Sequence, residues 1–211
     1  MVVVKLKDLK EILNLVSDFK EISVFGCEIG SGKCRQGGLQ EAERLSSFLK
    51  QMGKTIVEVK SLGGTCIVEK VKRVNFKETE AIISLACGAG TQVIAEQVNI
   101  PVITGVDTLF IGADSNSEIF KEYCIACGDC IISRTGGICP VARCPKSLIN
   151  GPCGGATDGK CEVDENIPCV WYEILERMER IGTLQELELN SSFRDYRISV
   201  HPRRMRNDLQ G

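Results

Sequence analysis

The stretch EISVFGCEIGSGKCRQGGLQEAERLSSFLKQMGKTIVEV, residues 21–59, decides the fold class. Glu21 to Phe25 is a mostly apolar run closed by Gly26-Cys27 and reads as a strand. After Gly37-Gly38, the residues Leu39, Ala42, Leu45, Phe48, Leu49 and Met52 recur at helical spacing, and Lys54 to Val59 starts a second strand. Strand, helix and strand joined by short links predict an α/β layer with a mostly parallel sheet flanked by helices, because parallel neighbours need a crossover. Upstream, Asp8 and Glu11 stand in capping-box spacing before Leu9, Ile12, Leu13, Val16 and Phe19, so a short amphipathic helix is expected to open the chain. Its lysines are balanced by Glu11, Asp18 and Glu21, which favours packing on the sheet over lying on a membrane surface. Downstream, Thr65 to Val68 and Ala81 to Leu85 predict further strands. Cys87-Gly-Ala-Gly opens a helical pattern through Ala95 and Val98, and Pro101 to Thr104 reads as another short strand. The α/β pattern fades near residue 112, and an N-terminal domain is assigned to residues 1–115.

The full chain has 211 residues, enough for one large domain or two small ones. Hydrophobic residues at 43% and charged residues at 26% exclude wholesale disorder. The balance of 26 basic against 28 acidic residues, a net charge of −2, gives no field to attract a phosphate backbone, so nucleic acid is not an expected partner. Apolar stretches such as Ile100 to Val106 are far too short to cross a bilayer, and Met1-Val-Val-Val-Lys-Leu-Lys-Asp lacks the order of a secretory signal. A cytoplasmic location without membrane insertion is therefore expected.

Twelve cysteines are the unusual feature: Cys27, Cys34, Cys66 and Cys87, then Cys124, Cys127, Cys130, Cys139, Cys144, Cys153, Cys161 and Cys169. In a reducing compartment such closely spaced thiols are better explained as thiolate ligands than as cystines. From Glu118 to Pro168, Cys, Gly and Pro interrupt every period, so this region cannot build an ordinary core and metal–thiolate bonds are expected to stabilise it. A Cys-rich, irregular metal-cluster domain is assigned to residues 116–190. It ends in a docking helix whose face is Trp171, Ile174, Leu175, Met178, Ile181 and Leu184, weakened at its end by Gly182. Residues 191–211 form a basic tail with Arg194, Arg197, Arg203, Arg204 and Arg206 against Asp195 and Asp208.

Cys124, Cys127 and Cys130 form C-x2-C-x2-C, which gathers three sulfurs in the manner of bacterial ferredoxins. The plain ferredoxin pattern then fails, since the next Cys-Pro pairs are Cys139-Pro140 and Cys144-Pro145. Eight thiolates suffice for two four-thiolate centres, with the pairing of Cys139, Cys144, Cys153, Cys161 and Cys169 left open. Thiolate sulfur tolerates both Fe(II) and Fe(III), so [4Fe–4S] centres would store electrons singly. Zinc is the alternative at any four-cysteine site, where it would only hold the fold. The overlapping triple, rather than paired knuckles, favours iron–sulfur. The glycines of Thr135-Gly-Gly137 and Asn150-Gly-Pro-Cys-Gly-Gly155 let backbone N–H groups approach sulfur, although ordinary turns use the same residues. Loops leaving the carboxyl ends of parallel strands converge, so Cys27, Cys34 and Cys87, joined by Cys66, are candidates for a third centre. The alternative is four buried cysteines acting as small hydrophobes.

Other chemistries are poorly served. Gly32-Lys33-Cys34 lacks the first glycine and the hydroxyl residue of a phosphate loop, and Val93 stands where Gly88-Ala-Gly90 would need the third glycine of a dinucleotide fingerprint. His201 is the single histidine, so His-based metal sites and Cys–His dyads are not expected. Glu28 beside Cys27 reads as a solvated side chain.

At these residues a resemblance emerges. Cys124-x2-Cys-Gly-x-Cys130, Thr135-Gly-Gly-Ile-Cys-Pro140, Arg143-Cys144-x-Lys146, Asn150-Gly-Pro-Cys-Gly-Gly155, Lys160-Cys-Glu-Val163 and Cys169-x-Trp171 resemble the MetV-like small subunit of methylenetetrahydrofolate reductase complexes. The N-terminal half is similar through Gly26-Cys27, Cys34-x2-Gly-Gly38, Leu85-Ala-Cys-Gly-Ala-Gly90 and Asp107-Thr-Leu-Phe-x-Gly112. The resemblance implies a non-catalytic electron-transfer subunit with iron–sulfur clusters. It would take electrons from a donor protein or subunit and pass them to the flavin of a MetF-like TIM-barrel partner, where methylenetetrahydrofolate is reduced to methyltetrahydrofolate. The folate and the flavin would belong to the partner. The chain departs from the family's C-x2-C-x3-C in the first loop, having Gly30 and a C-x6-C spacing. Either Cys66 supplies the missing thiolate, or the N-terminal cluster is absent and only the fold is kept. A zinc-stabilised module that tethers or activates a partner oxidoreductase is the competing reading.

Overall fold

The computed structural model describes residues 1–114, 119–189 and 193–205. The chain divides into two compact units, Met1–Lys121 and Glu122–Gly211. Glu118, Ser191, Arg206 and Asp208, which figure in the sequence reading of the Cys-rich region and the tail, lie outside the described residues.

In the first unit the elements run β1 (Val2–Leu6), α1 (Leu9–Leu15), β2 (Glu21–Cys27), α2 (Gly30–Lys33), α3 (Leu39–Gln51), β3 (Thr55–Leu62), α4 (Val68–Val71), β4 (Ala81–Ser84), α5 (Gly88–Ala95), β5 (Val102–Thr104), β6 (Val106–Asp114) and β7 (Phe120–Cys124), whose last residues enter the second unit. Four strands form a parallel sheet in the order β3-β2-β4-β5, as the strand–helix–strand pattern requires. Ile22 and Val24 of β2 pack with Leu45 and Leu49 of α3, while Phe25 belongs to a second core with Val71, Ile82 and Ile94. Both faces of β2 are thus covered, which is why the strand is buried from Ile22 to Cys27. The chain leaves β2 toward β3 and leaves β4 toward β5 in opposite directions, so the switch point of the sheet lies between β2 and β4.

Two elements differ from the sequence reading. The strand expected at Thr65 to Val68 is a turn leading into α4: Gly64, at φ +102°, turns the chain out of β3, and the Ile67 N–H is used by the Gly64 carbonyl. This segment is the crossover between the parallel strands β3 and β4, where a helical turn can bury Val71 and a strand could find no neighbour. A three-stranded sheet, β1-β6-β7, was not anticipated, and its strand β1 precedes the helix expected to open the chain. Val2 pairs with Ile111 and Leu6 with Val106, antiparallel. In α1 the Asp8 side chain caps the helix through the Lys10 N–H, while Glu11 pairs with Lys7.

The Glu80 carboxylate accepts the backbone N–H groups of Lys20 and, at 2.9 Å, Glu21, tying the segment before β4 to the start of β2. These donors hold its pKa below the ordinary carboxylate value. A carboxyl with a depressed folded pKa stabilises the fold above its unfolded pKa and loses that contribution as pH falls through the folded value. Glu80→Gln is accordingly expected to lower the unfolding midpoint at neutral pH, with the difference from wild type vanishing toward pH 3. Urea titrations across that range measure it.

The second unit has few regular elements between residues 122 and 168: a 3₁₀ turn at Ile132–Arg134, α6 (Pro140–Arg143) and the hairpin β8 (Lys160–Cys161) and β9 (Asp164–Pro168). It continues into α7 (Val170–Arg180) and α8 (Glu186–Leu189). The expected amphipathic helix is α7, which buries Val170, Trp171, Ile174 and Met178 against Ile138, Cys144, Cys169 and Leu187. Ile181 and Leu184, assigned to the same face, are 47% and 38% exposed because the helix ends at Arg180, before Gly182 reverses the chain. Among the described residues no helix is long and apolar enough to cross a membrane.

Candidate functional site

None of the twelve cysteines is joined to another by a disulfide. In the first unit they occupy different environments. Cys34 closes α2 and is buried in the core between β1, β2 and α3; its thiol donates to the carbonyls of Ser31 at 3.3 Å and Val4 at 3.7 Å. Burial pushes that thiol above its ordinary pKa, so it is a protonated, small apolar group. Cys27 ends β2 and is also buried. Burial pushes its pKa up, but the backbone N–H groups of Thr65, Ile29 and Gly64 favour the thiolate and the net displacement is downward. Cys87 is the half-buried N-cap of α5, and Cys66 is exposed in the turn after β3. The crevice at the switch point is filled by backbone, since the Cys27 N–H bonds the Gly37 carbonyl at 2.8 Å and a Cβ on Gly37 would overlap the Leu85 carbonyl. Among the described residues, no group of three or more Cys, His, Asp or Glu side chains closes on a single point where it could hold one metal ion.

In the second unit the triple occupies one exposed turn. The Cys124 sulfur accepts the Ala126 N–H at 3.2 Å, the Cys127 thiol donates to the Asp129 carbonyl at 3.5 Å, and Cys130 is exposed. The turn is folded by left-handed backbone at Ala126 (φ +53°) and Gly128 (φ +90°). Part of the tail lies on it. From the 3₁₀ turn Tyr196–Ser199, the Ser199 hydroxyl donates to the Cys127 carbonyl at 2.7 Å. A Cβ on Gly128 would lie 2.9 Å from Arg203 Nη1 and 3.1 Å from the Ile198 carbonyl. Only glycine meets both the dihedral and the approach. Gly128→Val is expected to release residues 196–203, seen as faster trypsin cleavage after Arg203 and Arg204 with cleavage inside α7 unchanged.

The next cysteines stand at the ends of regular elements. Cys139 is the N-cap and Cys144 the C-cap of α6, Cys161 lies in β8 and Cys169 is the N-cap of α7. Before Cys139, the buried Thr135 hydroxyl donates to the Ile138 carbonyl and Gly136 offers its carbonyl to Arg177 of α7, so the Thr135-Gly-Gly turn is docked on that helix. Arg143 pairs with Glu173, joining α6 to α7, and its guanidinium stacks 5.6 Å over the Tyr123 ring.

Cys144, Cys153, Cys161 and Cys169 line one concavity, floored by Leu148 and Trp171. The Trp171 indole N–H donates to the Leu148 carbonyl at 3.2 Å, fixing the floor. The Gly155 N–H, opposed by burial and assisted by the charge of Lys146, lowers the pKa of the exposed Cys153 thiol. Of the eight C-terminal cysteines, the structure therefore brings four around one space and three onto one turn, with Cys139 half-buried at the start of α6. Lys146 and Glu162 also line the concavity. Nothing local in the sequence singles them out, since Arg143 also adjoins Cys144 and Lys160 also adjoins Cys161. Ser199, which bonds the cysteine turn from 72 positions away, left no local signal.

In comparison with known proteins, residues 103–197 match the family described as Methylene-tetrahydrofolate reductase C terminal. No curated protein matches the chain. No solved structure matches it either.

Proposed function

From the family match over residues 103–197 and the four thiols around one concavity, we propose that this chain is an iron–sulfur electron-transfer subunit. It relays electrons from a donor protein to the flavin of a MetF-like partner that reduces methylenetetrahydrofolate to methyltetrahydrofolate. The observation that carries the reading is the donor set: Cys144, Cys153, Cys161 and Cys169 meet around a space walled by Trp171 and Leu148, with soft sulfur as the ligand atom. Among the described residues no three metal-ligating side chains close on one point, so the reading rests on the shared concavity and on the spacing of the cysteines. A [4Fe–4S] group bound there would supply one-electron storage.

The protein's own part is to supply thiolates and exclude water. Gly155 and Lys146 favour the thiolate of Cys153, and Trp171 closes the floor. Cys124, Cys127 and Cys130, with Cys139, are the second ligand set in this reading. Cys27, Cys66 and Cys87 remain the N-terminal candidates, while Cys34, protonated within the core, is the weakest of them. The apolar core of α7 is small for a segment this irregular, which supports metal–thiolate bonds as part of its stability.

The test is anaerobic purification with iron and sulfide analysis and visible absorption before and after dithionite. The expected result is iron and sulfide in near-equal amounts and a broad absorption that bleaches on reduction. Cys169→Ser is expected to lose the iron of one centre and keep the other. Zinc without iron, or redox silence, would transfer the function to a zinc-stabilised module that tethers a partner enzyme.

A further inference from the structure

Lys146 and Glu162 are the charged residues among those lining the four-thiol concavity, whose other walls are thiol or apolar. They form an ion pair through Lys146 Nζ and Glu162 Oε1. The same Glu162 oxygen accepts from the Cys153 thiol at 3.3 Å. The Glu162 carboxylate lies directly against Gly155, in space that a Cβ at that position would occupy. Three residues thus meet at one oxygen: an ammonium, a carboxylate and a sulfur.

Loading the site changes this balance. A thiol can donate to Glu162; a thiolate bound to metal cannot, and it then stands beside a carboxylate of like charge. Lys146 is the cation shared by the two. Adding an electron to the centre adds one negative charge to the group of four sulfurs, and a nearby ammonium favours that state while a carboxylate opposes it. Both side chains are 39% exposed, so solvent screens the effect without cancelling it.

We propose that Lys146 is a positioning charge for this site: its ammonium, held over Cys153 by Glu162, sets how readily the four-thiolate centre accepts an electron. The inference rests on the iron–sulfur reading above and adds a residue outside the ligand set. Its two parts predict opposite signs, since removing the cation disfavours the reduced state and removing the anion favours it.

The experiment is an EPR-monitored redox titration of the reconstituted full chain with dithionite as the one-electron reductant, together with iron and sulfide content. Lys146→Gln is expected to disfavour reduction about tenfold, a shift of about 59 mV to more negative potential for one electron. Lys146→Arg is expected to stay near wild type, and Glu162→Gln to move to more positive potential. A merely structural ion pair would lower iron content in both neutral variants and leave the potential of the loaded fraction unchanged, which overturns the proposal. Should Lys146→Gln fail to take up iron, Glu162→Gln decides the sign, and a potential at or below wild type overturns it. Wild-type protein without iron would overturn both this inference and the reading it rests on. A normal wild-type signal with unshifted variants would overturn this inference alone.

Discussion

Replacing Trp171 with alanine is expected to cost about 3–5 kcal/mol, the range for deleting a large buried aromatic. Trp171 is 1% exposed and is the largest of the four side chains, with Val170, Ile174 and Met178, that form the core of the second unit. It also floors the four-thiol concavity and satisfies the Leu148 carbonyl. Removal therefore opens a cavity, strands a carbonyl and loosens the first turn of α7, where Cys169 is the N-cap. Trp171→Phe restores much of the apolar volume and isolates the hydrogen bond, for an expected cost of about 1 kcal/mol plus the lost volume. Chemical denaturation followed by circular dichroism, with limited proteolysis to report on α7, measures both. A Trp171→Ala protein as protease-resistant as wild type would remove the tryptophan from the core of this account.

The second large effect is expected at Gly37. Its φ is not in the left-handed region, so the constraint is space: a Cβ would overlap the Leu85 carbonyl and lie 2.8 Å from Ser31 Cβ. The obstructing carbonyl belongs to backbone that is itself fixed, since the Leu85 N–H bonds the Phe25 carbonyl at 2.8 Å. Gly37→Ala must therefore push apart the segments after β2 and β4, at about 3 kcal/mol, the upper part of the usual overpacking range. Gly53→Ala provides a contrast: nothing lies within 4 Å of its Cβ, and its cost comes from φ +83° alone. Urea midpoints for the two variants separate crowding from dihedral strain. Equal losses would refute the crowding argument.

The parallel sheet was legible because its signals are local: the apolar run from Ile22 to Phe25 and the helical spacing from Leu39 to Leu49 each lie within one window. The sheet β1-β6-β7 was not, because Val2 finds Ile111 across most of the first unit, and no periodicity within Val2–Leu6 names that partner. Thr65 to Val68 misled because residues that favour strands stood in a segment whose task was to cross from β3 over β2 to β4. The cysteine triple stands out by its spacing, and the structure puts it on one turn, but among the described residues no three metal-ligating side chains close on one point. Cys144, Cys153, Cys161 and Cys169 are separated by eight or nine residues and carry no such signature; the end of α6, the β8–β9 hairpin and the first turn of α7 bring them to one space.

The bond from Ser199 to the Cys127 carbonyl spans 72 positions. On the ribosome, the turn bearing Cys124, Cys127 and Cys130 consequently lacks this support until the residues that supply it have been translated. For that interval its own left-handed positions, Ala126 and Gly128, must set its course alone.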